Sequence, residues 1–295
     1  MSGRRPRRPF TALLALALPA AGLADAAVWR VTGGPSPFYV AGTIHKLSPD
    51  HYPLPEEYQA AYQRSEVLVF ETDIAAMQST DVRSQLAARS RLPDGETLTG
   101  LLQPETRRAL ADYCADTDFP VERLERLRPA PAMLTLLAVA LNDLGVTAPG
   151  VDEYFHRRAR ADAKATLALE TPEQQIDYLL SLDQGDPNGF VMRSIADLRE
   201  ARRGGLETSL DIWRQGDEEK LVEHFLKDPL LEAPELYQAL LVERNRNWMT
   251  SIRQFAETAE IELVLVGVAH LLGEHGLPAL LAAEGYAVEK LDLSR

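Results

Sequence analysis

A single cysteine, Cys114, stands in the whole 295-residue chain. That excludes an internal disulfide framework and any zinc site built from cysteine thiolates. Histidine is scarce as well: the six residues at 45, 51, 156, 224, 270 and 275 carry every imidazole. Positive charge is in deficit, with 31 Lys+Arg against 44 Asp+Glu and a formal charge of −13. Without the first 26 residues the balance is 27 basic to 43 acidic, or −16. Such acidity argues against nucleic acid or an anionic membrane surface as partner, because both call for positive charge. There is no H-E-x-x-H, no G-x-S-x-G and no glycine-rich phosphate loop, so zincin, serine-hydrolase and P-loop readings lack support. No low-complexity linker interrupts the chain, and one α/β domain with helical insertions over 27–295 is the simplest organisation.

The N-terminus reads as an address. Met1–Pro9 carries Arg4, Arg5, Arg7 and Arg8, an apolar run follows from Phe10 to Ala20, and small residues end in Ala24-Asp25-Ala26. That order is a secretory signal, placed at 1–26. The apolar run is too short for a stable bilayer anchor. Arg7-Arg8-Pro9-Phe10 also has the shape of a twin-arginine signal, although ordinary secretion is the default. No cysteine lies near the cleavage site, which excludes a lipoprotein anchor. The expected protein is exported, periplasmic or secreted, with no stable membrane anchor after cleavage.

Along the mature chain, Val28–Val31 and Phe38–Ile44 read as two strands with a hairpin-like connection through Gly33-Gly34-Pro35. Pro55-Glu56-Glu57 opens a helix, with proline in its first turn and acids complementing the dipole. Val67–Phe70 is a continuous apolar run, as in a strand buried on both faces. About 74–160 is mainly helical, and Met133–Leu144 is its most apolar helix. Ala165–Leu169 reads as a strand. Thr171-Pro172-Glu173-Gln174 is a helix start with a threonine cap, proline at the first position and glutamine at the capping-box position. About 187–258 is again mainly helical, ending in a long helix from about Pro234. Strand Ile261–Val266, a helix from Gly276 and strand Ala287–Leu293 close the chain. The expected fold is α/β, with a central mixed, largely parallel sheet and a large helical insertion.

Ionisable residues fall at the strand ends. Phe38–Ile44 runs into His45, Val67–Phe70 into Glu71 and Asp73, Ala165–Leu169 into Glu170, and Ile261–Val266 through Gly267 into His270. In open α/β sheets, functional groups gather beyond the carboxyl ends of parallel strands. If these four strands are parallel neighbours, two imidazoles and two carboxylates share one patch. Two ends also resemble each other: Gly42-Thr43-Ile44-His45 and Gly267-Val268-Ala269-His270 are both G-x-x-H. A second histidine (His51, His275), a Leu-Pro pair, a helix and a new strand follow each. A β-loop-α-β unit used twice is the expectation.

Two neutral imidazoles and a carboxylate are a common ligand set that leaves positions open for water and substrate. A divalent metal (zinc, manganese or cobalt) on His45, Glu71 and His270 would acidify its water and polarise a carbonyl. Glu170 is then the second carboxylate, for proton transfer; the two glutamates could exchange roles. Without a metal, either carboxylate is better read as a cap or as an ion-pair partner of Arg244.

Gly42-Thr43-Ile44-His45, Val69-Phe70-Glu71, Gly150-Val151-Asp152, Leu169-Glu170-Thr171 with Gln174, Glu243-Arg244-Asn245 and Val266-Gly267-Val268-Ala269-His270 together resemble the TraB/GumN family. That family is grouped with the TIKI proteins and related to erythromycin-esterase-like and ChaN-like proteins. The resemblance runs from about Trp29 to Asp292. It implies an α/β fold around a central sheet and a site built on His45, Glu71 and His270. It also implies, through the TIKI members, metal-dependent proteolysis. Asp152, Glu170, Arg244 and Asn245 match positions typical of bacterial members.

Bland alternatives stand beside these roles. Glu170 could hold the Thr171 helix start. Arg244 and Asn245, the other two candidate catalytic residues, lie on a long helix whose usual face is solvated, although an arginine there could stabilise an oxyanion or bind a carboxylate. Asp152 reads as the cap of the helix after Gly150. His51 and His275 read as exposed loop residues or extra ligands; His156 and His224 receive no role. The function expected is an exported metal-dependent hydrolase of peptide bonds, taking a peptide or small-molecule substrate. The alternatives are a non-catalytic cleft that sequesters a peptide, a metal or haem, and a metal-free hydrolase with histidine as general base.

Overall fold

The computed structural model describes residues 26–227 and 233–293, so the secretory-signal expectation falls almost wholly outside the described residues. Among the described residues the strands are β1 (Val28–Thr32), β2 (Phe38–Thr43), β3 (Lys46–Leu47), β4 (Val67–Thr72), β5 (Ala148–Pro149), β6 (Ala165–Glu170), β7 (Glu262–Gly267) and β8 (Ala287–Lys290). Six of them make one sheet in the order β6-β4-β7-β2-β1-β8; β3 and β5 form a small second sheet. β6, β4, β7 and β2 are mutually parallel. β1 is antiparallel to both β2 and β8, so it alone runs against the other five. The fold is thus mixed α/β with a mixed, mostly parallel sheet and substantial helical content.

The four strands expected to be parallel neighbours are parallel neighbours. β2, β4 and β7 are apolar and buried along almost their whole length, as strands covered on both faces must be. Each fully buried Val, Leu or Phe there contributes about 1.5–3 kcal/mol through burial. β6 differs: it is the edge strand, and Ala165–Ala168 is exposed. The last strand is shorter than expected. Its ladder to β1 runs only from Thr32↔Ala287 to Trp29↔Lys290, and past it one further bond joins the Leu291 N–H to the Val28 carbonyl. β3 and β5 escaped the sequence reading, since two residues are too short to show periodicity.

Six helices matter most here: α1 (Glu56–Arg64), α2 (Pro129–Asp143), α3 (Val151–Ala161), α4 (Pro172–Ser181), α5 (Glu243–Ala256) and α6 (Leu277–Ala283). The connection from β2 to β4 passes over β7, and that from β7 to β8 passes over β2 and β1 in the opposite direction. Right-handed crossovers that travel opposite ways place their helices on opposite faces. The packing follows: Tyr58 and Tyr62 of α1 stack on Phe155 of α3, whereas α6 contacts α5. The capping box at Thr171–Gln174 forms as expected at the start of α4. The long helix expected from Pro234 is a rod with a π-helical turn at Gln238–Val242, directly before α5.

Two hydrophobic cores result. One surrounds the sheet and takes in Trp213 and Trp248. The other is helical, with Leu98, Leu110, Leu124, Met133, Leu136 and Ile195 at its centre. α2 supplies Met133, Leu136 and Ala140 to the second core, which makes it the core element its composition predicts.

Candidate functional site

Register brings the strand ends level. Thr43 pairs with Gly267, Phe70 with Leu265 and Thr72 with Glu170. His45, Glu71 and His270 therefore emerge at one edge of the sheet, and all three line a cleft of about 370 Å³ together with Arg244, Gln175 and Tyr178. A larger cavity of about 690 Å³ lies elsewhere, around Arg30, Tyr39, Arg64 and Lys290, and holds none of the residues singled out above.

Arg244 is the hub. Its Nε and Nη2 donate to Oε1 and Oε2 of Glu170 at 2.7 and 2.9 Å. Nη2 also donates to Glu71 Oε2 at 2.7 Å, and Nη1 lies 3.2 Å from His270 Nε2. The guanidinium sits 4.9 Å from the Tyr178 ring and 4.8 Å from the Trp248 ring. Burial disfavours its charge, but the two carboxylates outweigh burial and hold its pKa above the ordinary arginine value. The solvated helix face expected for Arg244 and Asn245 is a correction: both are buried, because this face of α5 also carries Trp248, Met249 and Ile252 into the core. Glu71 and Glu170 are ion-pair partners of Arg244, as the metal-free reading expects.

Glu71 is held from two sides. Its second oxygen, Oε1, accepts the Gly267 N–H at 2.6 Å. A Cβ added at Gly267 would stand 3.2 Å from that oxygen, so a side chain there would make Glu71 give by a few tenths of an ångström. Burial works against the Glu71 carboxylate, yet the surrounding positive groups and the Gly267 N–H hold its pKa down at about 2. His270 can assist only when protonated, so Arg244 is the dependable charge. The competing Asp73 caps the helix Ile74–Met77 through the Ala76 N–H instead.

His270 is defined down to its tautomer. Asn245 Nδ2 donates to the carbonyls of His270 and His275 at 3.0 and 2.8 Å. Its Oδ1 therefore faces His270 Nδ1, at 2.7 Å, and that nitrogen carries the proton. Nε2 is left with a lone pair turned to Arg244. The ring packs 4.3 Å from Trp248. Burial first, then Arg244, lowers the His270 pKa to about 3, which keeps the ring neutral.

His45 lies in the opposite environment, its side chain 71% exposed. Nδ1 pairs with Asp152 Oδ2 at 3.2 Å, and that carboxylate raises the His45 pKa to about 9. Asp152 is not the cap expected for α3. Gly150 occupies the cap position, and Asp152 follows inside the helix. A Cβ on Gly150 would strike the His45 backbone at 2.3 Å, and Val151 N–H donates to the Ile44 carbonyl. This close approach delivers Asp152 to His45.

Glu170 was expected to line the cleft. It lies behind Arg244 instead, with Oε1 also accepting Trp248 Nε1–H at 2.8 Å, and so serves to fix the arginine. Asn245 likewise fixes His270 and its loop. His51 is buried beside Ser48, His156 packs on Phe70, and His224 meets Ser209. Sequence reasoning missed Gln175, Tyr178 and Trp248. Their signal was helical spacing: Trp248 follows Arg244 by four, and Gln175 and Tyr178 share a face of α4.

The donor set His45, Glu71 and His270 has the chemistry a divalent metal takes. Each imidazole is supported through Nδ1 by an oxygen acceptor, as metal-bound histidines commonly are. As arranged, no group of three or more His, Cys, Asp or Glu among the described residues closes on an ion, and Arg244 covers the atoms of Glu71 and His270 that would do so. No helix among the described residues is long and apolar enough to cross a membrane.

Fold and cleft together define a mixed α/β protein with a buried arginine–carboxylate cluster at the carboxyl ends of its parallel strands. The chain belongs to the TraB/PrgY/gumN family, whose family model matches residues 27–290. It is similar to the uncharacterized protein YbaP of Escherichia coli strain K12, 23% identical over 245 residues, which cover 83% of this chain and 87% of that protein. YbaP of Shigella flexneri is 22% identical over 244 residues, 82% of this chain and 87% of its own. No solved structure matches.

Proposed function

We propose that the protein is an exported metal-dependent hydrolase of peptide bonds, with the cleft between β2, β4 and β7 as its reaction site. The observation that carries this reading is the matched treatment of the two G-x-x-H histidines. Each gives Nδ1 to an oxygen acceptor, Asp152 or Asn245, which leaves Nε2 as the ring atom available to a ligand beside Glu71. His45, Glu71 and His270 would hold the ion once Arg244 moves off Glu71 and His270, and the ion would supply Lewis acidity. Arg244, retained by Glu170, offers a positive charge to a carbonyl oxygen or a substrate carboxylate. Asp152 is assigned to orienting His45 through Nδ1, and Glu170, fully engaged with Arg244 and Trp248, to positioning. The apolar walls from Leu179, Leu182, Leu240 and Leu241 suit aliphatic side chains of a peptide.

A second reading, a cleft that binds a peptide without cleaving it, is favoured by one observation: Arg244 already satisfies Glu71 and His270 without any ion. Metal analysis of the purified mature protein, beside His45→Ala and His270→Ala, separates the two. The hydrolase reading expects about one divalent ion per chain, loss of it in both variants, and peptide turnover abolished by chelation and restored by metal. Peptide binding that depends on His45, with no metal and no turnover, would establish the second reading.

A further inference from the structure

The cavity of about 690 Å³ lies at the far end of the sheet from the cleft. Tyr39 in its wall stands at the start of β2, whereas His45 follows the end of that strand, roughly 20 Å further on. Register builds the wall from three strands. Tyr39 pairs with Arg30 across β2 and β1, and Arg30 pairs with Glu289 across β1 and β8. Residues directly opposite in antiparallel strands share a face, so a hydroxyl, a guanidinium and a carboxylate stand in one row. Arg64, the last residue of α1, adds a second guanidinium. Leu291 and the Tyr39 ring are the buried, apolar part of the wall.

The polar groups of the row are uncommitted. The side chains of Arg30, Arg64 and Glu289 make no ion pair or hydrogen bond among the described residues. Arg30 and Glu289 face each other in the ladder and still do not pair. Tyr39 is only 3% exposed. Its hydroxyl has no partner among the described residues either, yet it is not sealed off as the Thr72 hydroxyl is. Buried polar groups are nearly always hydrogen-bonded to something, so this hydroxyl is aimed at an occupant of the cavity. The other charges of the wall are spoken for. Lys290 donates to the carbonyls of Ala26 and Gly216 at 3.0 and 2.9 Å and lies 4.1 Å from the Trp29 ring, and Asp292 has a partner of its own.

Charge decides the class of occupant. A plain anion would meet Glu289 and Asp292 in the same wall, and a plain cation would meet Arg30 and Arg64. A molecule that carries both signs complements both. Guanidinium N–H groups match a carboxylate, and a tyrosine hydroxyl can donate to that same group. A carboxylate such as Glu289 accepts from an ammonium. The volume is in the range of small-molecule sites. We propose that this cavity binds a small zwitterion, an amino acid or short peptide, with its carboxylate on Arg30, Arg64 and Tyr39 and its ammonium on Glu289. The site stands whether or not the cleft at the other end of the sheet turns peptides over.

The experiment is an NMR titration of the mature protein with diglycine, N-acetyl-diglycine and diglycine amide, which share one body and differ in the terminal charges they keep. Diglycine should saturate with a Kd of about 1 mM or tighter, and the amide shifts should centre on β1, β8 and the start of β2. Blocking either terminus should weaken binding about 10-fold or more, because each block removes a hydrogen bond to a charged group. Arg30→Gln and Tyr39→Phe should each weaken diglycine by about the same factor. Tyr39→Phe removes one oxygen and keeps the packed ring, so its loss of binding is not a loss of fold. Equal binding of either blocked form would overturn the zwitterion. No saturation, shifts confined to the cleft, or unchanged affinity in both variants would overturn the site.

Discussion

The two G-x-x-H strand ends have almost the same sequence grammar and opposite surroundings. His270 is 5% exposed, packed at a tilt against Trp248, and bonded at both nitrogens to Asn245 and Arg244. His45 is 71% exposed and paired only with Asp152. The glycine and the strand set the turn; neighbours more distant in the chain set the chemistry. In the metal-free protein one histidine stays neutral and the other carries a proton at the mouth of the same cleft.

The largest effect expected is at the hub that creates this difference. Arg244→Met leaves two buried carboxylates and an imidazole without their donor, and breaking a buried pair from one side costs about 3–5 kcal/mol. Urea denaturation of the variant should show that loss. Arg244→Lys should recover only part of it, because an ammonium cannot reproduce the fork that spans both glutamates. A loss under about 1 kcal/mol would mean the cluster does not hold the site together.

The histidines themselves come next. His270→Ala removes a packed ring, strands Asn245 Oδ1 and takes one of the two partners of Arg244 Nη1, for a loss of about 2–4 kcal/mol. His45→Ala, at an exposed position, should stay within about 0.5 kcal/mol. Equal losses would erase the comparison.

Smaller effects appear in the pH dependence. The His270 pKa is depressed to about 3, so below the ordinary value of about 6.5 the unfolded chain binds a proton that the folded one refuses. Its contribution is present above pH 6.5 and is lost as pH falls toward 3. Glu71, at about 2, adds a loss between its ordinary value and that pH. His45 has the opposite sign: raised to about 9, it contributes fully below pH 6.5 and loses that contribution as pH rises through 9. Solvent screening makes the alkaline arm the weaker one. Denaturation across pH should therefore show that His270→Gln flattens the acid arm and His45→Gln the alkaline arm. Reversal of those assignments would contradict the two environments.

Much of this site was legible because buried parallel strands are continuous apolar runs, and the first ionisable residue marks where each stops. That placed His45, Glu71, Glu170 and His270 at one edge of the sheet. The capping box at Thr171 was legible for a similar reason, being a contact between residues three apart. The partner of His45 was not, since Asp152 is 107 residues away and arrives only because Gly150 lets a helix start press on the His45 backbone. Arg244 was hidden by a different effect. Charge on a helix argues for solvent, and only two carboxylates from separate strands make its burial tolerable. The exposure of β6 was hidden too, because an edge strand and an inner strand can share the same apolar composition.

The direct test of the account is an NMR titration of the six imidazoles in the metal-free protein, with His45 and His270 assigned from their glutamine variants. The account predicts that His270 stays neutral and protonated on Nδ1 from pH 8 down to about pH 5, while His45 is protonated at pH 7 and releases its proton on the alkaline side. Titration of His270 near 6.5, or of both rings together, would contradict it.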